Sequence, residues 1–252
     1  MCAIKIWAAA LEESSRLRDT REITLDPQEK GKQRMQHHTA KQPSASKPII
    51  GLALSHEQFP TPQLVELGVQ VEQAGFDAVW TSDHFQPWQD NQGHTGFAWV
   101  TLAALGQRTE RLLMGTGVTC PTYRYRPQIV AEAFASLGLL YPGRIFLGVG
   151  AGEALNEVPG GGWGDYETRA ARLEEAVDLI RQLWTGAWVT FHGQYYPVQQ
   201  ARLYDVPSPP VPIYVAASGP KSMPLAGKIG DGLISDGQRA INPELRQAFE
   251  QG

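Results

Sequence analysis

From Pro48 onward, short apolar runs alternate with longer stretches in which apolar residues recur at helical spacing. IIGLAL, Ile49 to Leu54, reads as a buried strand. TPQLVELGVQVEQAG then brings Leu64, Leu67, Val71 and Ala74 to one helical face before Gly75, a residue suited to the left-handed turn that ends a helix. The pattern returns in DAVWTS with FAWVTLAALGQRT, in RLLMGTGV with RPQIVAEAFASLGLLYPG, and in RIFLGVG with TRAARLEEAVDLIRQLWTG. Four strand-helix units in succession predict a parallel sheet with crossover helices. Two further strands, PIYVAAS from Pro212 and DGLISDG from Asp231, flank the short helix KSMPLAGKIG. Ahead of Pro212, WVTFHGQYYPV holds two β-rich runs about His192 and Gly193, which predicts a β-hairpin insertion before the fifth core strand.

The fold class this implies is α/β, of the (β/α)8 TIM-barrel type, apparently truncated after about six strands, because eight such units need ~250 residues. Residues 1–47 do not join the alternation. Their segment DPQEKGKQRMQHHTAKQPSASKP has almost no apolar side chain to offset the entropy of ordering, so 1–47 is expected to be a disordered tail or upstream extension and 48–252 a partial barrel domain. A six-stranded arc would leave apolar parallel edges on its first and last strands, so a fragment or truncated product is expected.

Composition narrows the function. The chain of 252 residues has a formal charge of −4, which leaves no broad positive field for a phosphate backbone, so no nucleic-acid partner is expected. The two cysteines, Cys2 and Cys120, form no disulfide framework, and no secretory leader or membrane-length apolar run is found, so a cytoplasmic protein with no membrane partner is expected. The six histidines show no metal-ligand spacing, so no metal is expected. Walker, dinucleotide-fingerprint and GxSxG motifs are missing. A small-molecule substrate remains.

The polar residues that interrupt the apolar pattern fall just after the predicted strands: Glu57 after the first, Asp83 and His84 after the second, Cys120 after the third, Glu153 and Asn156 after the fourth, and Ser218, Gly219 and Pro220 after the fifth. In a parallel barrel those ends converge on the face where active sites are built. Singly, each has a plainer reading: Asp83 and Glu153 as helix caps, His84 as an exposed loop residue, Trp88 as a lid, GPK as a common helix start.

The stretches SHEQF, SDHFQPW, GTGVTCPTYRYRP, YPGRIFLGVGAGEALNE, DLIRQLWTG and VPIYVAASGP together resemble the luciferase-like (bacterial luciferase superfamily) oxidoreductases, in the branch that contains the coenzyme F420-dependent glucose-6-phosphate dehydrogenases. The resemblance implies coenzyme F420 as cofactor, with FMN the alternative, and hydride transfer between the deazaflavin and a sugar, sugar phosphate or other alcohol or carbonyl compound. It implies catalytic roles for His84 as base, Trp88 as a wall over the reacting centre, Glu153 as proton donor and Glu57 as a carboxylate lining the pocket. Asp83, Gly117, Val118, Cys120, Asn156, Ala216, Ala217, Ser218, Gly219 and Pro220 are implied to hold the cofactor, with a cis peptide at Gly117-Val118. It also implies a homodimer. Where the branch places a phosphate-binding cation on the helix after the GP turn, this sequence has Pro224, with Lys221 three residues earlier, which favours a related sugar, alcohol or ketone at least as much as glucose 6-phosphate. An FMN-dependent monooxygenase and a non-catalytic flavin-binding truncated barrel are the alternatives.

Overall fold

The computed structural model describes residues 48–252, so the tail expected over 1–47 lies outside the described residues. In chain order the elements are β1 (Gly51–Leu54), α1 (Thr61–Gln73), β2 (Ala78–Thr81), a 3-10 turn (Asp90–Gln92), α2 (Ala98–Gly106), β3 (Leu113–Thr116), α3 (Pro127–Leu140) and β4 (Ile145–Val149). They continue with α4 (Ala154–Glu157), α5 (Tyr166–Leu183), β5 (Val189–Phe191), β6 (Val198–Ala201), β7 (Ile213–Ala216), α6 (Ser222–Ile229), β8 (Gly232–Ile234), α7 (Gly237–Ala240) and α8 (Pro243–Glu250).

Six strands make one sheet in the order β1-β2-β3-β4-β7-β8, every pair parallel. These are the six core strands read from the apolar runs. Alternation along them explains why the runs are nearly continuous: Val79, Leu147, Ile213 and Val215 face the helices, while Trp80, Phe146 and Tyr214, with Ile234 against them, form a separate cluster on the other face. A strand buried on both sides has no solvent face to encode as polar. Among the described residues β1 and β8 each pair on one side only, and β1, read from IIGLAL as a buried strand, therefore leaves Leu52 and Ala53 exposed.

Three details differ from the sequence reading. First, the hairpin is present as β5-β6, but its loop is wider than a turn at His192 and Gly193, because β6 begins only at Val198. The Glu175 carboxylate on α5 accepts the backbone N–H groups of Gln194, Tyr195 and Tyr196, at 2.8, 2.8 and 2.5 Å, which removes those donors from any ladder. Tyr196 is fully buried there, and its hydroxyl donates to the Thr122 carbonyl at 2.6 Å.

Second, α1 buries Leu64, Val65, Gly68 and Val71, whereas Ala74 is exposed beyond its end. Gly68 lies so close to Leu105 of α2 that a Cβ would overlap the leucine methyls, and this contact turns the buried face toward Val65. Third, α7 and α8 had no sequence expectation, and α4 begins after Glu153 as the helix-cap reading has it, although the Glu153 side chain caps no amide there. Asn242 caps α8 through the Glu244 and Leu245 amides, and Leu245, Ala248 and Phe249 pack on the core.

Candidate active site

The carboxyl ends of β1, β2 and β4 bring Glu57, His84, Trp88 and Glu153 together. Glu57 has no exposed surface; it receives hydrogen bonds from the Ser55 hydroxyl and, at 2.9 Å, from the Ser82 hydroxyl. Its remaining oxygen, Oε1, lies 2.6 Å from His84 Nδ1. Neither atom has another partner, so Oε1 is the acceptor within reach of a proton on Nδ1. Burial alone would push the Glu57 carboxyl up, but hydrogen bonds from His84 and Ser55 outweigh it and bring it down to about 2. The group is therefore an anion at neutral pH.

An anion beside Nδ1 selects the Nδ1–H tautomer, which leaves Nε2 with a lone pair on the open side of the ring. There Glu153 Oε2 stands 4.0 Å from Nε2 and accepts the Trp88 indole N–H at 3.1 Å. The Trp88 ring meets His84 edge-on, with centroids 4.9 Å apart. Glu57 is deep, while Glu153 and Trp88 are about half exposed, so the four side chains run from the interior to the mouth.

Asp83 points the other way. It is buried and accepts from Thr119 Oγ1 at 2.6 Å, Arg124 Nη2 at 2.8 Å and the Tyr125 hydroxyl at 2.9 Å. Burial, and then the Asp83 charge, push the Tyr125 phenol well up, so it stays a donor. Arg124 also binds the Asp83 carbonyl at 2.6 Å. The side chain thus holds the backbone immediately before His84.

Asn156, also buried, accepts the Phe85 and Gln86 amides at 2.8 and 3.0 Å and so fixes the loop between His84 and Trp88. Its Nδ2 is buried without a partner. Gly117-Val118 is a cis peptide. The Cys120 thiol is buried beside Glu157; burial and then that carboxylate push it up to about 12, and it contacts Thr122 Oγ1 at 2.9 Å. Ala216 ends β7, and the Ala217 amide binds the Ile234 carbonyl at 3.0 Å. The Ser218 and Gly219 amides share the Ser222 hydroxyl, and Ser218 and Pro220 are exposed. Among the described residues, no hydrogen bond links this turn to the Glu57, His84 and Glu153 cluster.

Sequence reasoning missed the residues behind the cluster: His56, Ser82, Thr119, Arg124, Tyr125 and Glu157. Glu157 is buried, accepts the Arg124 amide at 3.1 Å, and is pushed up by that burial. The signal was available only for Glu157, one helical turn after Glu153. Lys221 pairs with Glu167 at 2.9 Å on the surface. A cavity of 720 Å³ lies elsewhere, between α5, the hairpin and α6; in its wall Arg181 pairs with Asp231 and Lys228 with Glu174, while Asp178 accepts the Gln182 side-chain amide and Glu175 the loop amides. The described residues hold no cluster suited to a metal, and no helix among them is long and apolar enough to cross a membrane.

A family model described as luciferase-like monooxygenase matches residues 33–251. The F420-dependent hydroxymycolic acid dehydrogenase of Mycobacterium tuberculosis (strain ATCC 25618 / H37Rv) is 53% identical over 204 residues, covering 81% of this chain and 57% of that protein. The F420-dependent glucose-6-phosphate dehydrogenase of Gordonia bronchialis is 52% identical over 188 residues, 73% of this chain and 56% of that protein. Among solved structures, an F420-dependent secondary alcohol dehydrogenase in complex with an F420-acetone adduct superposes with a TM-score of 0.77 at 39% identity, covering 80% of this chain and 62% of that one. The chain therefore spans about three fifths of the length of the relatives it matches. It belongs to the luciferase-like monooxygenase family, on the branch whose curated members at about 50% identity are F420-dependent dehydrogenases.

Proposed function

We propose that this chain is an oxidoreductase that uses coenzyme F420 to move hydride between the deazaflavin and the carbon of an alcohol or carbonyl substrate. The observation that carries the reading is the arrangement of His84 between a buried anion, Glu57, and a half-exposed pair, Glu153 and Trp88. The relatives named as F420-dependent dehydrogenases support the choice of cofactor. The site fits a ring that presents carbonyl acceptors, since Asn156 Nδ2 is a buried donor with no partner inside the chain. When bound, the deazaflavin supplies a ring carbon that accepts or returns hydride.

The chain's own part is proton handling and placement. Removing hydride from an alcohol carbon is feasible only as the hydroxyl proton leaves, so a base must meet that oxygen. His84 Nε2 takes this proton; Glu57, 2.6 Å from Nδ1, stabilises the imidazolium that results. Glu153 holds or gives a proton at Oε2, and the Trp88 N–H on that oxygen fixes its direction. Trp88 also covers the mouth and limits the substrate to orientations that present its hydroxyl to Nε2. Asn156, Ala216, Ala217, Ser218, Gly219 and Pro220, with the Gly117-Val118 peptide and Cys120 at its back, would hold the cofactor, and Asp83 keeps His84 in place from behind.

The substrate we infer is an alcohol or ketone, sugar-derived or not. This is supported by Lys221, whose charge is already matched by Glu167. A homodimer is part of the reading, supported by the exposed Val100 on α2 and Ile129 and Leu140 on α3. A cytoplasmic location is supported by the buried free thiol of Cys120. The test is His84→Ala. Turnover of an alcohol with F420 is expected to fall by roughly 10²- to 10⁴-fold, the usual contribution of a positioned base, with F420 affinity nearly unchanged. Equal loss of both would make His84 structural and contradict the proposal.

A further inference from the structure

His56 lies one residue before Glu57 and takes no part in the chemistry above, yet every hydrogen-bonding group on its side chain is in use. It has no exposed surface. Its backbone N–H donates to Ser82 Oγ at 2.9 Å, its Nδ1 lies 2.8 Å from the Ser82 carbonyl, and its Nε2 lies 2.7 Å from Thr101 Oγ1 on α2. A carbonyl oxygen only accepts, so Nδ1 carries the proton and Nε2 receives the Thr101 hydroxyl. Burial lowers the pKa of the ring, which keeps that neutral tautomer. Gly96 closes over the ring so tightly that a side chain there would strike it.

The effect of this knot is directional. Ser82 Oγ accepts from the His56 amide, and its own proton goes to Glu57 Oε2 at 2.9 Å. Two residues on from Ser82 is His84. One imidazole therefore joins the loop after β1, which carries Glu57, to the loop after β2, which carries His84, and ties both to α2. The charged or titratable neighbours facing the ring are Glu57, Asp83 and His84.

We propose that His56 is a positioning residue that sets the distance and angle between Glu57 and His84 by clamping Ser82. The proposal rests on the reading of His84 as the base. A His that merely fills space would be replaced better by glutamine, which is nearer to it in volume, whereas a clamp on Ser82 favours asparagine. Asparagine places its amide nitrogen near the position of Nδ1 and can still donate to the Ser82 carbonyl; glutamine reaches toward Thr101 and loses Ser82.

The experiment compares His56→Gln and His56→Asn in two ways: the imidazole ¹⁵N and ¹³C signals of His84 in the protein without cofactor, and the kcat and KM for an alcohol with F420. H56Q is expected to move the His84 signals and lower kcat on the order of 100-fold, the cost of misplacing a reacting group by about 1 Å, with KM little changed. H56N is expected to restore the His84 signals and most of kcat. Equal behaviour of the two variants, or unmoved His84 signals in H56Q, overturns the proposal. If H56Q does not fold, His56→Leu, which fills the space but cannot donate to the Ser82 carbonyl, is compared with H56N by the same signals, unmoved signals again overturning it. Should the parent chain lack turnover with F420 while H56Q still moves the His84 signals, the functional reading fails and the positioning role stands.

Discussion

A carboxylate sealed from water is ordinarily driven toward its neutral form, and Glu157 follows that rule. Glu57 does the reverse, because two hydroxyls and an imidazole surround it. The sign of its pH effect follows. Its folded value, about 2, lies below its ordinary 4.5, so the folded state favours the anion, and the stabilisation is present above pH 4.5 and lost as pH falls toward 2. Between about pH 6 and pH 3, the parent chain is expected to lose roughly 2 kcal/mol more stability than Glu57→Gln, measured by urea denaturation. Parallel losses in the two would contradict the assignment of Glu57 as the buried anion. At this scale the sequence told which residues sit at strand ends, and little about where each one points. Asp83 and His84 are adjacent in SDHFQPW, yet one turns inward to Thr119, Arg124 and Tyr125 and the other toward Glu57 and Glu153. Those partners lie far along the chain and no local pattern announces them. His56 was passed over for the same reason, since its value depends on Ser82 and Thr101.

At the level of elements, periodicity carried most of the reading. Six strands, the inner four of them buried, and four long helices fell where apolar spacing placed them, because each of these helices and inner strands packs a continuous face against the next layer. The failures occurred where a tertiary contact outweighed local pattern. β6 starts late because Glu175 captures the loop amides, and α1 is rotated because Gly68 admits Leu105. That second contact makes a prediction. Gly68→Val would push a branched side chain into the leucine methyls, and overpacking of this kind costs about 1–3 kcal/mol. A lower thermal midpoint with the fold retained is expected; an unchanged midpoint would mean that α1 and α2 are not in close contact.

For the whole molecule, the parallel arc brings residues from distant positions to one face at the carboxyl ends of its strands, and this made the face legible from sequence as the place for chemistry. The Ala216–Pro220 turn belongs to the same face by topology, although its own amides are satisfied by Ser222 and Ile234. β1 and β8 close on no further strand among the described residues, so the proposed site requires this arc to form the cofactor side by itself. The most direct measurement is a titration of the 252-residue chain with coenzyme F420 and, in parallel, FMN, followed by quenching of its seven tryptophans, one of which, Trp88, lies at the mouth. Saturable binding of F420 with weaker binding of FMN is the result expected from the proposed site. Preference for FMN, or no binding of either, would contradict it.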